Sequence, residues 1–226
     1  KIIQKTGFDL HRHFPTPDKL SYLQLFNLKT VLDIGANTGQ FAKEIREKLP
    51  NALILSFEPL RECFEKLNEN IAGDKNFKAF NFALGDKNES LEMNKNAYTP
   101  SSSILPMSQT HKKLFPHTKE NAPEKIEVKR LDNIVEPLSL QKEILIKIDV
   151  QGFEDKVIDG GRETFKKAKA VIVENSFVEL YEGQPLFDDI YEKLKSLGFS
   201  YCGSLQQKVD KLSGKIISED SLFIKK

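Results

Sequence analysis

Much that would tie this sequence to a membrane, a disulfide framework or a polyanion is missing from it. No apolar run approaches the roughly 20 residues that a membrane span requires, and the stretch from Lys1 shows no signal-peptide pattern. The chain opens on Lys1 rather than Met, so the natural start is expected to lie upstream. The two cysteines, Cys63 and Cys202, are far apart and form no C-x-x-C, which argues against a disulfide framework or a zinc site and for a reducing, cytoplasmic compartment. Lys and Arg number 34 against 33 Asp and Glu, so no global field draws the molecule to nucleic acid or to an anionic membrane. Internal repeats and low-complexity tracts are lacking as well. What remains is 226 residues, 39% hydrophobic, enough for one large α/β domain with a well-buried core and short for two.

The most informative stretch is residues 31–40, V-L-D-I-G-A-N-T-G-Q, taken with S-F-E-P at 56–59. An apolar run that breaks into a Gly-rich turn and opens an amphipathic helix is the sequence form of a strand, tight loop and helix built around a nucleotide-like ligand. Gly35 and Gly39 let the backbone take positive φ and approach a ligand closely. Asp33 and Glu58 end successive strands and set two carboxylates beside the loop. A pyrophosphate-binding G-x-G-x-x-G would need glycine where Asn37 and Gln40 stand, and a P-loop would need a Gly-Lys-Ser/Thr that is missing. Two acids around a glycine loop with no compensating lysine suit a ligand that is cationic and rich in hydroxyls. S-adenosylmethionine, with its sulfonium, amine and ribose, is such a ligand.

Along the chain, residues 1–29 read as an irregular arm, with the H-x-H pair His11 and His13 as polar arm residues rather than metal ligands, and then a short helix around Tyr22 to Leu28. Strands are expected at 31–34, 53–57 and 77–84, alternating with helices whose stripes are Phe41, Ala42, Ile45, Leu49 and Leu60, Cys63, Phe64, Leu67, Ile71. The second stripe places Cys63 in the core. Successive strand–helix–strand units predict parallel pairing with right-handed crossovers. Residues 87–125 are polar, hold four prolines and the Ser101-Ser102-Ser103 triple, and read as a long inserted loop or lid with His111 and His117 as exposed loop residues or candidate bases. A small edge strand is expected at 126–131, core strands at 144–148 and 170–173, a helix at 187–197 closed by Gly198, and a final strand pair at 199–205 and 221–224.

In order along residues 30–200 come D-I-G-A-N-T-G-Q, F-E-P-L at 57–60, A-L-G-D at 83–86, the serine cluster, R-L-D at 130–132, I-K-I-D-V-Q-G-F-E at 146–154 and V-E-N at 173–175. With these, the chain resembles the S-adenosylmethionine-dependent methyltransferases of the FkbM type. The resemblance implies a Rossmann-like class I methyltransferase fold: α/β, a seven-stranded, mostly parallel sheet with an antiparallel last strand and helices on both faces. It divides the chain into an N-terminal arm and docking helix, 1–29, and a methyltransferase domain, 30–226, with 87–125 as the insertion.

The same resemblance implies that Asp33, Gly35, Ala36, Asn37 and Gly39 form the loop under the methionine part of the cofactor. Glu58, followed by Pro59, accepts both ribose hydroxyls, and the segment at Ala83 contacts adenine. Glu58 suits that role because an ionised carboxylate offers two oxygens to two adjacent donors. Asp149 faces the crevice of the open sheet, where it acts in catalysis, orients the cofactor or caps the next helix. Gln151 stands where the family often has Glu, which removes an acid near the reacting centre. Candidate bases by position are Asp149, Glu174, His111 and His117, with Ser102, Ser103 and His111 as candidate acceptor contacts and no metal. Glu154 reads as a helix-dipole or structural partner. The expected activity is O-methylation of a hydroxyl on a sugar or other small metabolite, with a small-molecule or glycan acceptor and no nucleic acid. The rivals are a nucleic-acid methyltransferase, disfavoured by the near-neutral charge and the lack of a base-gripping Asn-Pro-Pro-Tyr motif, and a cofactor-binding protein of the same fold without activity.

Overall fold

The computed structural model describes residues 20–118, 121–138 and 140–225; the arm with His11 and His13 lies outside them. The strands are β1 (Thr30–Ile34), β2 (Leu53–Phe57), β3 (Phe77–Phe80), β4 (Ala83–Leu84), β5 (Glu89–Asn96), β6 (Asn121–Lys129), β7 (Ile144–Ile148), β8 (Ala168–Ser176), β9 (Phe199–Val209) and β10 (Ile216–Lys225). The helices are α1 (Gln40–Lys48), α2 (Arg61–Asn70), α3 (Gln109–Leu114), α4 (Leu131–Val135), α5 (Glu154–Gly160), α6 (Arg162–Lys167) and α7 (Phe187–Ser196). Seven strands form the main sheet in the order β3-β2-β1-β7-β8-β10-β9, with β10 antiparallel to both neighbours and the other pairs parallel. That is the sheet expected, antiparallel last strand included. Among the described residues no helix is long and apolar enough to cross a membrane.

Helices cover both faces because the central strands are apolar on both. Leu32, Ile34, Ile146, Ile148 and Val173 pack under Val157, Ile158, Phe165, Ile190 and Leu194 of α5, α6 and α7. The alternate residues Val31, Ile54, Leu145 and Ala170 pack under Ala42 and Ile45 of α1 and under Leu20, Leu23 and Leu28. The expected helix around Tyr22 is a 3-10 helix, Ser21–Phe26, stopped where Asn27 takes a left-handed conformation. The strand order reverses between β1 and β7, and in open α/β sheets ligands bind outside the carboxyl ends of strands at such a point.

Two stretches depart from expectation. The third strand does not run through to 84. It ends at Phe80, and Asn81 makes the break by donating its side-chain amide to the carbonyls of Glu58 and Pro59. The chain then leaves for a second sheet, in which β4 pairs parallel to β6 and β6 antiparallel to β5. The second departure is residues 87–125, read as a loop, which contain the eight-residue β5 and the start of β6. Met93 of β5 packs with Leu60, Cys63, Ile126 and Val128, so this sheet roofs α2 rather than hanging free. Leu131, expected to end a strand, is instead buried at the start of α4.

The β9/β10 hairpin is irregular, with register shifts that leave Leu205 as an extra residue between the Ser204↔Ser221 and Gln206↔Asp220 pairs. On the other side of the molecule, α5 approaches the turn after β4 so closely that a Cβ on Gly160 would lie 1.8 Å from the Gly85 carbonyl oxygen. In an open helix Gly→Ala stabilises by up to ~1 kcal/mol. Here the sign reverses: Gly160→Ala is expected to cost about 1–3 kcal/mol, the range for overpacking. Urea unfolding of the two proteins checks this, and a midpoint that stays or rises in the variant would contradict the close contact.

Candidate active site

After β1 the chain turns through Gly35 and Asn37, at φ 81° and 47°. The Gly35 and Ala36 N–H groups both donate to the Phe57 carbonyl, 3.0 and 3.1 Å, which binds the loop to the end of β2. A side chain on Gly35 is impossible here, since its Cβ would meet the Asp149 carbonyl oxygen at 1.9 Å. Two loops, after β1 and after β7, thus touch backbone to backbone. Glu58, buried, accepts from Asn37 N–H at 2.8 Å through one oxygen and from Leu60 N–H at 2.9 Å through the other. Each oxygen keeps a further lone pair. Burial pushes the Glu58 carboxyl up to about 7 against the pull of those two N–H groups.

One row across the main sheet is charged. Ser56, Asp33, Lys147 and Ile172 are register partners on β2, β1, β7 and β8, so their side chains share one face. Asp33 is fully buried, accepts from Ser56 Oγ at 3.1 Å and lies 3.8 Å from the Lys147 ammonium. That ammonium also reaches Asp149 at 3.5 Å and the Gly35 carbonyl at 3.3 Å. Burial opposes the charge on Lys147, yet Asp149 and Asp33 outweigh it and hold its pKa above the usual lysine value. The expectation of an acidic loop without a compensating lysine is therefore overturned.

From Lys147 a polar chain continues outward. Gln151, itself left-handed at φ 57°, donates through Nε2 to Asp149 at 2.6 Å and to Glu174 at the end of β8. Glu174 in turn pairs with Lys208 of β9. Burial and the neighbouring Asp149 raise the Glu174 carboxyl to about 7. Burial also resists ionisation of Asp149, but Lys147, Lys208 and the Gln151 amide prevail and hold it below the usual carboxylate range. A cavity of about 340 Å³ runs along all of this, from Glu58 and Ala83 past Gly35 and Asp149 to Lys208. Its size falls within the range of small-molecule and cofactor sites.

A sequence model of the methyltransferase FkbM domain matches residues 33–201, the whole stretch from the glycine loop into β9. The chain belongs to the FkbM methyltransferase family. Relatives include the 2-O-methyltransferase NoeI of Sinorhizobium fredii, 31% identical over 161 residues that make up 68% of this chain and 66% of that protein. The methyltransferase sdnD of Sordaria araneosa is 28% identical over 193 residues, covering 75% of this chain and 73% of that one. The chain thus spans slightly less than two thirds of the length of NoeI. Among solved structures, TehB from Haemophilus influenzae shares the fold, with a TM-score of 0.50 at 10% identity over all of this chain and 66% of that one.

The cofactor of the FkbM methyltransferase family is S-adenosylmethionine, and the residues present fit it. Gly35, Ala36 and Asn37 line the cavity with main chain and short side chains, and Glu58 beside them has lone pairs left for hydroxyl donors. Of the residues expected to form the site, Gly35, Ala36, Asn37, Glu58, Pro59, Ala83, Ser102 and Asp149 line the cavity. Asp33 lies beneath it, under Lys147, and Gly39 faces α2, where a Cβ would press on Leu67 at 2.8 Å. Glu174 lies behind Gln151. Ser103 does not face the cavity, because its hydroxyl donates to the Gln151 carbonyl at 2.6 Å. His111 is corrected most sharply: neither an acceptor contact nor an exposed loop residue, it is buried against Tyr181 and Phe115, bonded to Thr118 at 3.0 Å, with burial pushing its pKa down to about 4. Glu154 is the turn clamp expected of a structural partner, accepting from Val150 and Gly152 N–H groups.

Sequence reasoning missed Lys147, Tyr181, Thr99 and Lys208. For Lys147 a signal was there, since a lysine within an otherwise apolar central strand, I-L-I-K-I, has to find a buried partner. Lys147→Met leaves Asp33 buried without its cation and is expected to cost about 3–5 kcal/mol near neutral pH. The orphaned Asp33 will have a raised folded-state pKa, so the loss should shrink as pH falls and it takes up a proton, and deepen as pH rises. Urea unfolding at pH 5.5 and pH 8 measures both, and an equal loss at the two values would show that Asp33 does not depend on Lys147.

Proposed function

We propose that this enzyme methylates a hydroxyl on a sugar or other small metabolite. The observation that carries this reading is the acid chain Asp149–Gln151–Glu174, whose first two members line the same cavity as the glycine loop and whose last, behind them, is a carboxyl raised to about 7. A hydroxyl is a weak nucleophile and benefits from a base poised near the working pH, an effect of roughly 10²–10⁴-fold. The 2-O-methyltransferase activity named for NoeI supports the same class of acceptor. Nucleic acid is disfavoured by the even balance of charge, 34 against 33.

The cofactor, when bound, supplies an electrophilic methyl on a sulfonium. We assign Glu58 to the ribose hydroxyls, the backbone of Gly35, Ala36 and Asn37 to the methionine part, Pro59 and Ala83 to the adenine end, and Asp149 to the border between cofactor and acceptor. The protein's chief contribution is alignment for an in-line displacement in a site shielded from water. As the acceptor oxygen forms its bond to carbon, its proton passes to Asp149 and on to Glu174, which holds it more tightly. Asp33 acts through Lys147, and Gly39 shapes the start of α1. Ser102, with Thr99 and Pro100, belongs to the wall that the 87–125 segment contributes over the acceptor end. The domain so assigned is 30–226, and the two free thiols, Cys63 and Cys202, suit a reducing compartment such as the cytoplasm.

Glu58→Ala should weaken S-adenosylmethionine binding by roughly 1.5–3 kcal/mol, the range for hydrogen bonds to a charged group. The pH dependence has a definite sign. Ribose hydroxyls favour the ionised carboxylate, so binding lowers the Glu58 pKa from about 7 and releases a proton. Affinity should therefore fall as pH drops below 7, by up to about tenfold per unit, and Glu58→Gln should flatten the curve. Calorimetric titration in buffers of different ionisation heat reads both quantities, and a wild-type affinity independent of pH between 5.5 and 8 would remove the ribose assignment. The acceptor is tested by transfer of tritiated methyl across a library of metabolites and glycans. Cofactor binding without transfer to any hydroxyl would leave a binding protein.

A further inference from the structure

Gln151 lies on the cavity wall described above with a polar partner at every hydrogen-bonding group of its side chain. Its two amide protons go to different carboxylates, Asp149 at 2.6 Å and Glu174. Its Oε1 accepts from the Tyr181 hydroxyl at 3.0 Å, and its main-chain carbonyl accepts from Ser103 Oγ at 2.6 Å. The amide can face only one way, because the reverse orientation would turn a carbonyl oxygen toward two carboxylates and an NH₂ toward a hydroxyl already directed at it. Tyr181 is 1% exposed, wedged against His111, so the hydroxyl that fixes the amide is itself fixed. The main chain at Gln151 is left-handed, an uncommon conformation for a residue with a side chain. That conformation must be held from outside, which Ser103 and Tyr181 do.

Asp149 and Glu174 both accept from the one Gln151 Nε2, so their carboxyl groups are held close together. Two carboxyl groups in that position repel when both are ionised, and sharing one proton relieves the repulsion. Lys147 stands beyond Asp149 and Lys208 beyond Glu174, so the array reads ammonium, carboxylate, amide, carboxylate, ammonium. A donor of two hydrogen bonds with no charge of its own suits the centre of the array as this chain builds it. A third acid there would add repulsion, and a cation would strip the shared proton.

We propose that Gln151 is a positioning residue of the reaction: its amide, oriented by Tyr181, holds Asp149 and Glu174 together as one proton-sharing pair that takes up the acceptor's proton. The pair-holding part stands on the contacts alone; the part about the acceptor rests on the reading of this protein as a hydroxyl methyltransferase. In the reaction the acceptor O–C bond forms as the S–C bond breaks, and the sulfur keeps that electron pair. The hydroxyl proton enters the pair at Asp149, where the cavity opens, and settles on Glu174.

The test reads the pair directly. In protein carrying ¹³C-labelled glutamate carboxyls and bound to S-adenosylhomocysteine, the Glu174 signal is assigned by its loss in Glu174→Gln, and its titration is followed in wild type, Gln151→Glu, Gln151→Met and Tyr181→Phe. Wild type should titrate near pH 7. Gln151→Glu should move the midpoint up by about one unit or more, through a third carboxylate and the loss of two donors. Gln151→Met and Tyr181→Phe should move it the same way by less, with thermal unfolding of Tyr181→Phe close to wild type. If Gln151→Glu does not fold, the other two variants carry the test. A Glu174 midpoint that stays put in every folded variant overturns the proposal, as does one at the ordinary carboxylate value in wild type. Tritiated methyl transfer to the library separates the two claims. A midpoint that moves as expected with no hydroxyl methylated would defeat the acceptor reading and leave the clamp, and methylation with an immobile midpoint would do the reverse.

Discussion

The Lys147 ammonium sits where β1 and β7 part, and the site's geometry depends on it. It neutralises Asp33 inside the sheet, steadies Asp149 at the strand end and bonds to the Gly35 carbonyl at the head of the glycine loop. Without it a fully buried carboxylate would stand uncompensated under the glycine loop, and the loop would lose one of its supports. The desolvation of a lysine is costly and is offset here only because three acceptors meet it at once. A buried ion pair is weak evidence of stability by itself, but at this position it fixes the relation between the two loops that meet at Gly35 and Asp149.

From that point the polar groups of the site form one connected path rather than a set of independent contacts. Glu58 holds the loop after β1 from the other side through the Asn37 N–H, and Asn37 reaches Thr99 in the β5–β6 connection at 3.2 Å. The connection between β5 and β6 is therefore tied to the glycine loop through Thr99 and to the main chain of Gln151 through Ser103. Asp132, from the R-L-D motif, accepts the Glu163 and Thr164 N–H groups at the start of α6.

The central strands, the glycine loop, the acid at 58 and the antiparallel finish could all be read from the sequence, because each is written locally. Apolar runs such as V-L-D-I, glycines that must take positive φ and a carboxylate at a strand end need no distant partner to be recognised. Residues 87–125 were opaque for the opposite reason. β5 has only Leu91 and Met93 as apolar side chains, its pairing partner β6 lies about 30 residues on, and it packs on α2 rather than on the main core. His111 misled because a histidine among polar residues looks exposed, whereas its neighbours in space are Phe115 and Tyr181. The absence of a compensating lysine was misjudged because Lys147 is more than a hundred residues from Asp33 and meets it only through strand pairing.

The extra residue at Leu205 has a further effect. β9 is an outer strand of eleven residues, long enough to offer its free backbone groups to a neighbouring molecule. The bulge breaks its pairing rhythm, sharpens its twist and brings Leu205 and Gln206, successive residues, both onto the cavity wall with Lys208. A kinked border with a lysine on it is a poor template for sheet growth, so the irregularity that shapes this end of the cavity also works against edge-to-edge association.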